Sequence, residues 1–154
     1  PLTDEPSAIP DAAPFVPAAG WESARATKAD VLAAAEGQAC LVDALPADSF
    51  EGTGTSYGPR SGHITGAVNV PYGSLLEAET SGFVDPSTMH ARLTQAGLFD
   101  GLKVITYCGG AIAATVNAFA LALFDKTDVA VYDASLMEWS RDADLPMTDP
   151  SAVG

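Results

Sequence analysis

The chain has 154 residues, 47% of them apolar, with 20 acidic against seven basic side chains and a formal net charge of −13. Length and apolar content suit one globular domain and exclude a disordered chain, and no apolar window approaches the ~18 residues of a membrane span. The charge excludes nucleic acid and anionic membrane as partners, because both require a positive surface; an anionic ligand must be drawn in by local donors against the overall field.

Residues 1–20 place Pro1, Pro6, Pro10, Pro14 and Pro17 among alanines and acids, the composition of an extended arm or linker. Folded structure is expected over 21–154. Thr27 is positioned to cap a helix running from Lys28 to Glu36, which Gly37 stops. The apolar run from Ala39 to Ala44 reads as a buried strand. A loop dense in Gly, Ser and Thr extends from Pro46 to Gly66, and a short strand, Ala67 to Val70, is closed by Pro71. Asp85-Pro86-Ser87 opens a helix to Gln95, ended by Gly97. The strand Lys103 to Tyr107 follows, then a helix from about Ala113 to Phe124. That helix is apolar on nearly every face and is therefore expected to be buried. Val129 to Tyr132 is another strand, and Ser135 to Trp139 a short helix. Apolar strands alternating with helices predict an α/β domain with a mainly parallel sheet.

The strand at Lys103–Tyr107 ends on Cys108, and Gly109 and Gly110 follow it. Strand, tight glycine loop and helix place a thiol where backbone amides and the positive end of a helix dipole converge. Such a field favours thiolate and lowers a cysteine's pKa by several units from about 8.5. A merely structural cysteine requires neither glycine. In α/β sheets ligands bind beyond the carboxyl ends of the strands, which is where Cys108 falls. Cys40 sits in an apolar run and reads as a core thiol. His63 and His90 are far apart and share no metal-ligand spacing with either cysteine.

Four segments carry a family resemblance. Ile105-Thr106-Tyr107-Cys108-Gly109-Gly110-Ala111-Ile112-Ala113-Ala114 resembles the active-site loop of rhodanese-type sulfurtransferases. Gly62-His63-Ile64-Thr65-Gly66-Ala67-Val68-Asn69-Val70-Pro71 resembles the family's Gly-His-Ile segment, and Val131-Tyr132-Asp133-Ala134-Ser135-Leu136-Met137-Glu138-Trp139 its closing segment. Leu41-Val42-Asp43-Ala44 matches the early strand that ends in Asp. The resemblance implies a three-layer rhodanese-like fold with about five parallel strands. It also implies sulfane-sulfur transfer from thiosulfate or 3-mercaptopyruvate to cyanide or a thiol through a persulfide on Cys108, with no cofactor. Because many members are tandem, a preceding rhodanese domain in a longer protein is one expectation and a stand-alone domain the other. The chain departs from the family at Ala111, where many members have Gly, and at Ala113, where many have Ser or Thr. Leu45 stands where some have Arg, and the loop holds no cation.

The expected roles follow from the chemistry. Cys108 is the nucleophile. Amides of Gly109, Gly110, Ala111, Ile112 and Ala113 would surround the anionic sulfur, and Arg60 is the candidate clamp for a sulfonate or carboxylate. Asp43 and His63 are assigned structural support. Three alternatives compete. A cysteine-dependent phosphatase requires an arginine in its loop, and none occurs between Cys108 and Arg141. A sulfur-carrier or interaction domain without catalysis is favoured by Ala111, Ala113 and the acidic surface. A Cys40–Cys108 redox pair is disfavoured by their placement on separate strands. No signal sequence is visible, so the expected compartment is the cytoplasm, the periplasm being the alternative.

Overall fold

Thr27 begins the first helix as the sequence suggests. Its Oγ1 accepts the Asp30 amide at 3.3 Å, while the Asp30 carboxylate accepts the Thr27 amide at 2.7 Å, a reciprocal cap. The computed structural model describes residues 21–152, so the arm of residues 1–20 lies outside the described part. In chain order the elements are α1 (Lys28–Ala35), β1 (Cys40–Asp43), α2 (Ala47–Phe50), β2 (His63–Ile64) and β3 (Val68–Asn69). They continue with α3 (Pro86–Gln95), β4 (Val104–Tyr107), α4 (Ile112–Ala122), β5 (Val129–Val131), α5 (Ser135–Trp139) and β6 (Met147–Thr148). Asp85 caps α3 by accepting the Thr88 amide at 3.0 Å, and Pro86 takes the first helical position, where no amide is needed.

Four strands pair in the order β3-β1-β4-β5, all parallel. Alternation along each strand divides the core into two. Leu41, Ile105 and Tyr107 face Val31 and Ala34 of α1 and Leu136 and Trp139 of α5. On the other side Val42 and Val104 face Met89 and Leu93 of α3 and Ala120 and Leu121 of α4. The result is the expected α/β sandwich of three layers. It differs in the fifth strand position, which holds a single parallel bridge between Arg25 and Val131. The Ala26 amide bonds the Val131 carbonyl at 2.9 Å, and the Thr27 cap then turns the chain into α1 before a strand can grow.

Two further differences concern the long loop and α4. The segment read as loop to Gly66 contains α2 and also β2, which pairs antiparallel with β6. Gly62 enters that pair at φ +85°, and a Cβ there would lie 2.1 Å from the Thr148 carbonyl oxygen, so only glycine fits. In α4, Ala114, Asn117, Ala120 and Leu121 are buried, but Ile112 and Phe119, with Leu123 just after the helix, are exposed. The expectation of an all-round buried helix fails because a helix laid on a sheet buries one face, and the outer apolar stripe here stays open. No helix among the described residues is long and apolar enough to cross a membrane.

Candidate active site

Cys108 follows the last residue of β4, at the carboxyl end of a central strand, and is only 3% exposed. The loop after it is held by α5. The amides of Leu136 and Met137 donate to the carbonyls of Cys108 and Gly109 at 3.1 and 3.0 Å. A trans peptide points its N–H opposite to its C=O. The amides of Gly109 and Gly110, which share those peptide planes, are therefore turned away from α5, and neither donates a hydrogen bond among the described residues.

The loop closes on Ser135. Its Oγ accepts the amides of Cys108 and Ala111, both at 3.2 Å, and donates to the Tyr132 carbonyl at 2.8 Å. Ser135 and Ala111 are both left-handed, with φ of +51° and +68°. Two non-glycine residues held in this strained region and hydrogen-bonded to each other mark a loop whose shape the surrounding structure enforces. Ser135 lies in the segment that resembles the family's closing motif, where the sequence assigns it no role. Its signal in sequence is only that a hydroxyl follows the strand by a few residues.

The five amides expected around the sulfur are thus divided. Ala111 is committed to Ser135, and Ile112 donates to the Gly110 carbonyl at 3.0 Å. Gly109 and Gly110 remain, together with Ala113 in the first turn of α4, where amides have no intrahelical acceptor. Gly109 is required sterically as well: a Cβ there would meet the Tyr57 ring at 2.1 Å.

Arg60, the candidate anion clamp, directs its guanidinium at main-chain carbonyls in this structure. Its Nε donates to the Ser140 carbonyl at 3.0 Å and Nη1 to Leu145 at 2.8 Å. Nη2 donates to Trp139 at 3.1 Å and Asp142 at 2.5 Å. The guanidinium thereby ties together carbonyls at and beyond the end of α5, of which Trp139 and Asp142 also accept main-chain amides, and holds that turn. His63 stacks on the Phe50 ring, centroids 3.6 Å apart, and its Nδ1 pairs with the Phe50 carbonyl at 2.8 Å. It ties α2 to β2.

Asp43 is fully buried. Its Oδ1 accepts the Leu45 amide at 2.8 Å, while Oδ2 has no hydrogen bond of normal geometry. Burial pushes its pKa up to about 6, against the opposing effects of the Leu45 amide and the neighbouring Tyr107 hydroxyl. That hydroxyl, from the residue before Cys108, accepts the Ile64 amide at 3.0 Å and so links β2 to the strand carrying the thiol. Cys40 stands opposite Val104 in the register, four residues or about 13 Å along the strand from Cys108, too far for a disulfide. Among the described residues no cluster of His, Cys, Asp or Glu could hold a metal ion.

Beside the loop opens a cavity of about 430 Å³. Gly110, Ile112 and Ala113 contribute its loop side, and Leu45, Tyr57, Tyr72 and Met137 are among its other walls.

The profile of the family described as "Rhodanese-like domain" matches residues 27–142. The chain belongs to the rhodanese-like family. Its relatives include the 3-mercaptopyruvate sulfurtransferase of Escherichia coli K12, 35% identical over 122 residues, covering 76% of this chain and 42% of the relative. The thiosulfate sulfurtransferase of Gallus gallus is 38% identical over 100 residues, covering 64% and 34%. Among solved structures, Tum1 from Saccharomyces cerevisiae superposes with a TM-score of 0.69 at 26% identity, covering 84% of this chain and 48% of that one. SseA from Escherichia coli, a 3-mercaptopyruvate sulfotransferase by its description, gives 0.64 at 31% identity over 73% and 42%. The chain thus spans less than half the length of each of these proteins, and these relatives are named as sulfurtransferases.

Proposed function

We propose that this rhodanese-like chain transfers sulfane sulfur through a persulfide on Cys108. The observation that carries the reading is the loop itself. A cysteine ends a central parallel strand, and the amides of Gly109 and Gly110 are turned away from α5 with no acceptor of their own. Ala113 adds an amide at the positive end of α4. Unsatisfied, preorganised amides stabilise an anionic sulfur because they need no reorganisation when charge arrives.

In the first half-reaction the Cys108 thiolate attacks the outer sulfur of thiosulfate or the sulfur of 3-mercaptopyruvate. The donor's bond to that sulfur breaks, and sulfite or the pyruvate fragment departs, leaving a persulfide. In the second, cyanide or a thiolate attacks the terminal sulfur, the S–S bond breaks, and Cys108 leaves as thiolate. The relatives, which are named for thiosulfate and for 3-mercaptopyruvate, support these two donors. Both half-reactions start from a thiol that is 3% exposed, with the Tyr57 ring packed on the neighbouring Gly109.

Intact mass spectrometry after incubation with each donor tests the proposal. A gain of one sulfur atom, absent in Cys108→Ser and discharged by cyanide, is expected. No gain with either donor overturns it and leaves a carrier or interaction domain.

A further inference from the structure

The cavity beside the loop has a wall without charge. Leu45, Leu76 and Val116 give it aliphatic surface, Tyr57 and Tyr72 aromatic surface, and Met137 a polarisable thioether. Ile112 forms its lip at 86% exposure, with Met137 half-exposed beside it. Arg60, the cation expected to serve an anionic substrate, is bound to four carbonyls. An ion entering this space would lose hydration and gain no counter-charge from its wall, a costly exchange. An alkyl or aryl body would gain from the same surface. The volume of about 430 Å³ is that of a small-molecule site.

We infer that this cavity holds the sulfur acceptor, and that the acceptor is an organic thiol with an uncharged alkyl or aryl body. The inference rests on the proposed persulfide of Cys108 and names the substrate class of its second half-reaction. The thiolate RS⁻ attacks the outer sulfur of Cys108–S–SH. A new S–S bond forms as the old one breaks, its electron pair stays on Cys108 as thiolate, and R–S–SH leaves. The body R rests against Leu45, Val116 and Tyr72 while its sulfur reaches the loop at Gly110.

A homologous series isolates the cavity, because ethane-, propane-, butane- and pentanethiol share one thiol pKa and differ only in apolar length. The protein is first loaded with thiosulfate or 3-mercaptopyruvate and the persulfide is verified by intact mass. The rate of its discharge is then followed against thiol concentration. The expected result is a kcat/KM rising about fourfold per added methylene until the cavity is filled, with 2-mercaptoethanesulfonate, compared at equal thiolate concentration, well below propanethiol. Val116→Thr and Tyr72→Ser, two independent changes in the wall, should flatten the rise while loading proceeds. Normal loading with a flat series, or faster discharge by the sulfonate, overturns the inference and leaves the sulfurtransferase reading intact. Failure to load with either donor removes that reading, and the inference with it.

Discussion

At the scale of single residues, one hydroxyl and one carboxylate shape the thiol's surroundings. Ser135 takes two amides of the Cys108 loop on one oxygen at 3.2 Å each. Ser135→Ala leaves both donors without a partner and should cost about 1–3 kcal/mol, together with much of the sulfur loading. Ser135→Gly loses the same oxygen but adopts φ +51° without strain. The order expected in urea denaturation is therefore parent, then Gly, then Ala. Equal stability of the three would mean that Ser135 does not hold the loop. Asp43 acts through pH. Its pKa rises from the ordinary 3.8 to about 6 in the fold, so the folded chain holds this proton more tightly than the unfolded chain. The associated stability is present in full below about pH 4 and is lost as pH climbs to about 6, after which the contribution is flat. The shift corresponds to ~3 kcal/mol at most. Asp30 and Asp85 are shifted downwards and act at lower pH. Asp43→Asn should thus remove the decline between pH 4 and 6 and raise stability at pH 7, read from urea midpoints across that range.

At the scale of elements, what local pattern controls was legible and what distant backbone controls was not. Caps at Thr27 and Asp85, apolar strands and the glycine loop each signal themselves within a few residues. The two-residue strands β2 and β6 are too short for any periodicity, and they pair across more than 80 positions. Exposure of α4's outer stripe depends on which elements cover the helix, which its own apolar sequence does not encode. Arg60 is the sharpest case. An arginine in a polar loop suggests an anion ligand, but its acceptors are main-chain carbonyls of residues 139–145, anonymous in sequence. Arg60→Ala should therefore destabilise the fold by at least ~2 kcal/mol. Arg60→Lys should recover little of this, because an ammonium cannot reproduce the planar fork. At a temperature where the variants are folded, the KM for thiosulfate should stay near that of the parent; a large rise in KM with stability unchanged would restore the clamp. The loop bearing Tyr57 makes the opposite kind of element, one that covers. Its ring lies against Gly109, and Cys108 is 3% exposed. Tyr57→Ala should accelerate iodoacetamide alkylation of native Cys108 several-fold, scored by peptide mapping to separate it from Cys40. An unchanged rate would show that the ring does not guard the thiol.

Across the whole molecule, the acidic balance opposes the chemistry proposed for the loop. A formal charge of −13 surrounds a site whose own donors are neutral amides and whose cavity wall has no charge. An approaching thiosulfate dianion is therefore repelled at long range and attracted only within hydrogen-bond reach. Screening separates the two regimes. The Debye length falls from ~30 Å at 0.01 M salt to ~8 Å at 0.15 M, so added salt should weaken the repulsion while leaving contacts inside the site nearly untouched. Second-order rates of Cys108 loading by thiosulfate are expected to rise several-fold over that range, while discharge by a neutral alkanethiol at fixed thiolate fraction stays level. A fall in the loading rate with salt would instead mean that a local cationic entrance outweighs the overall field. Lys28 and Arg141, which share a depression with Met137, Glu138 and Asp142, Lys28 paired to Asp142 at 3.7 Å, are the groups to neutralise in that event. The sign of the salt dependence thus decides whether the field of the whole chain or two cations beside α5 governs how an anionic donor arrives.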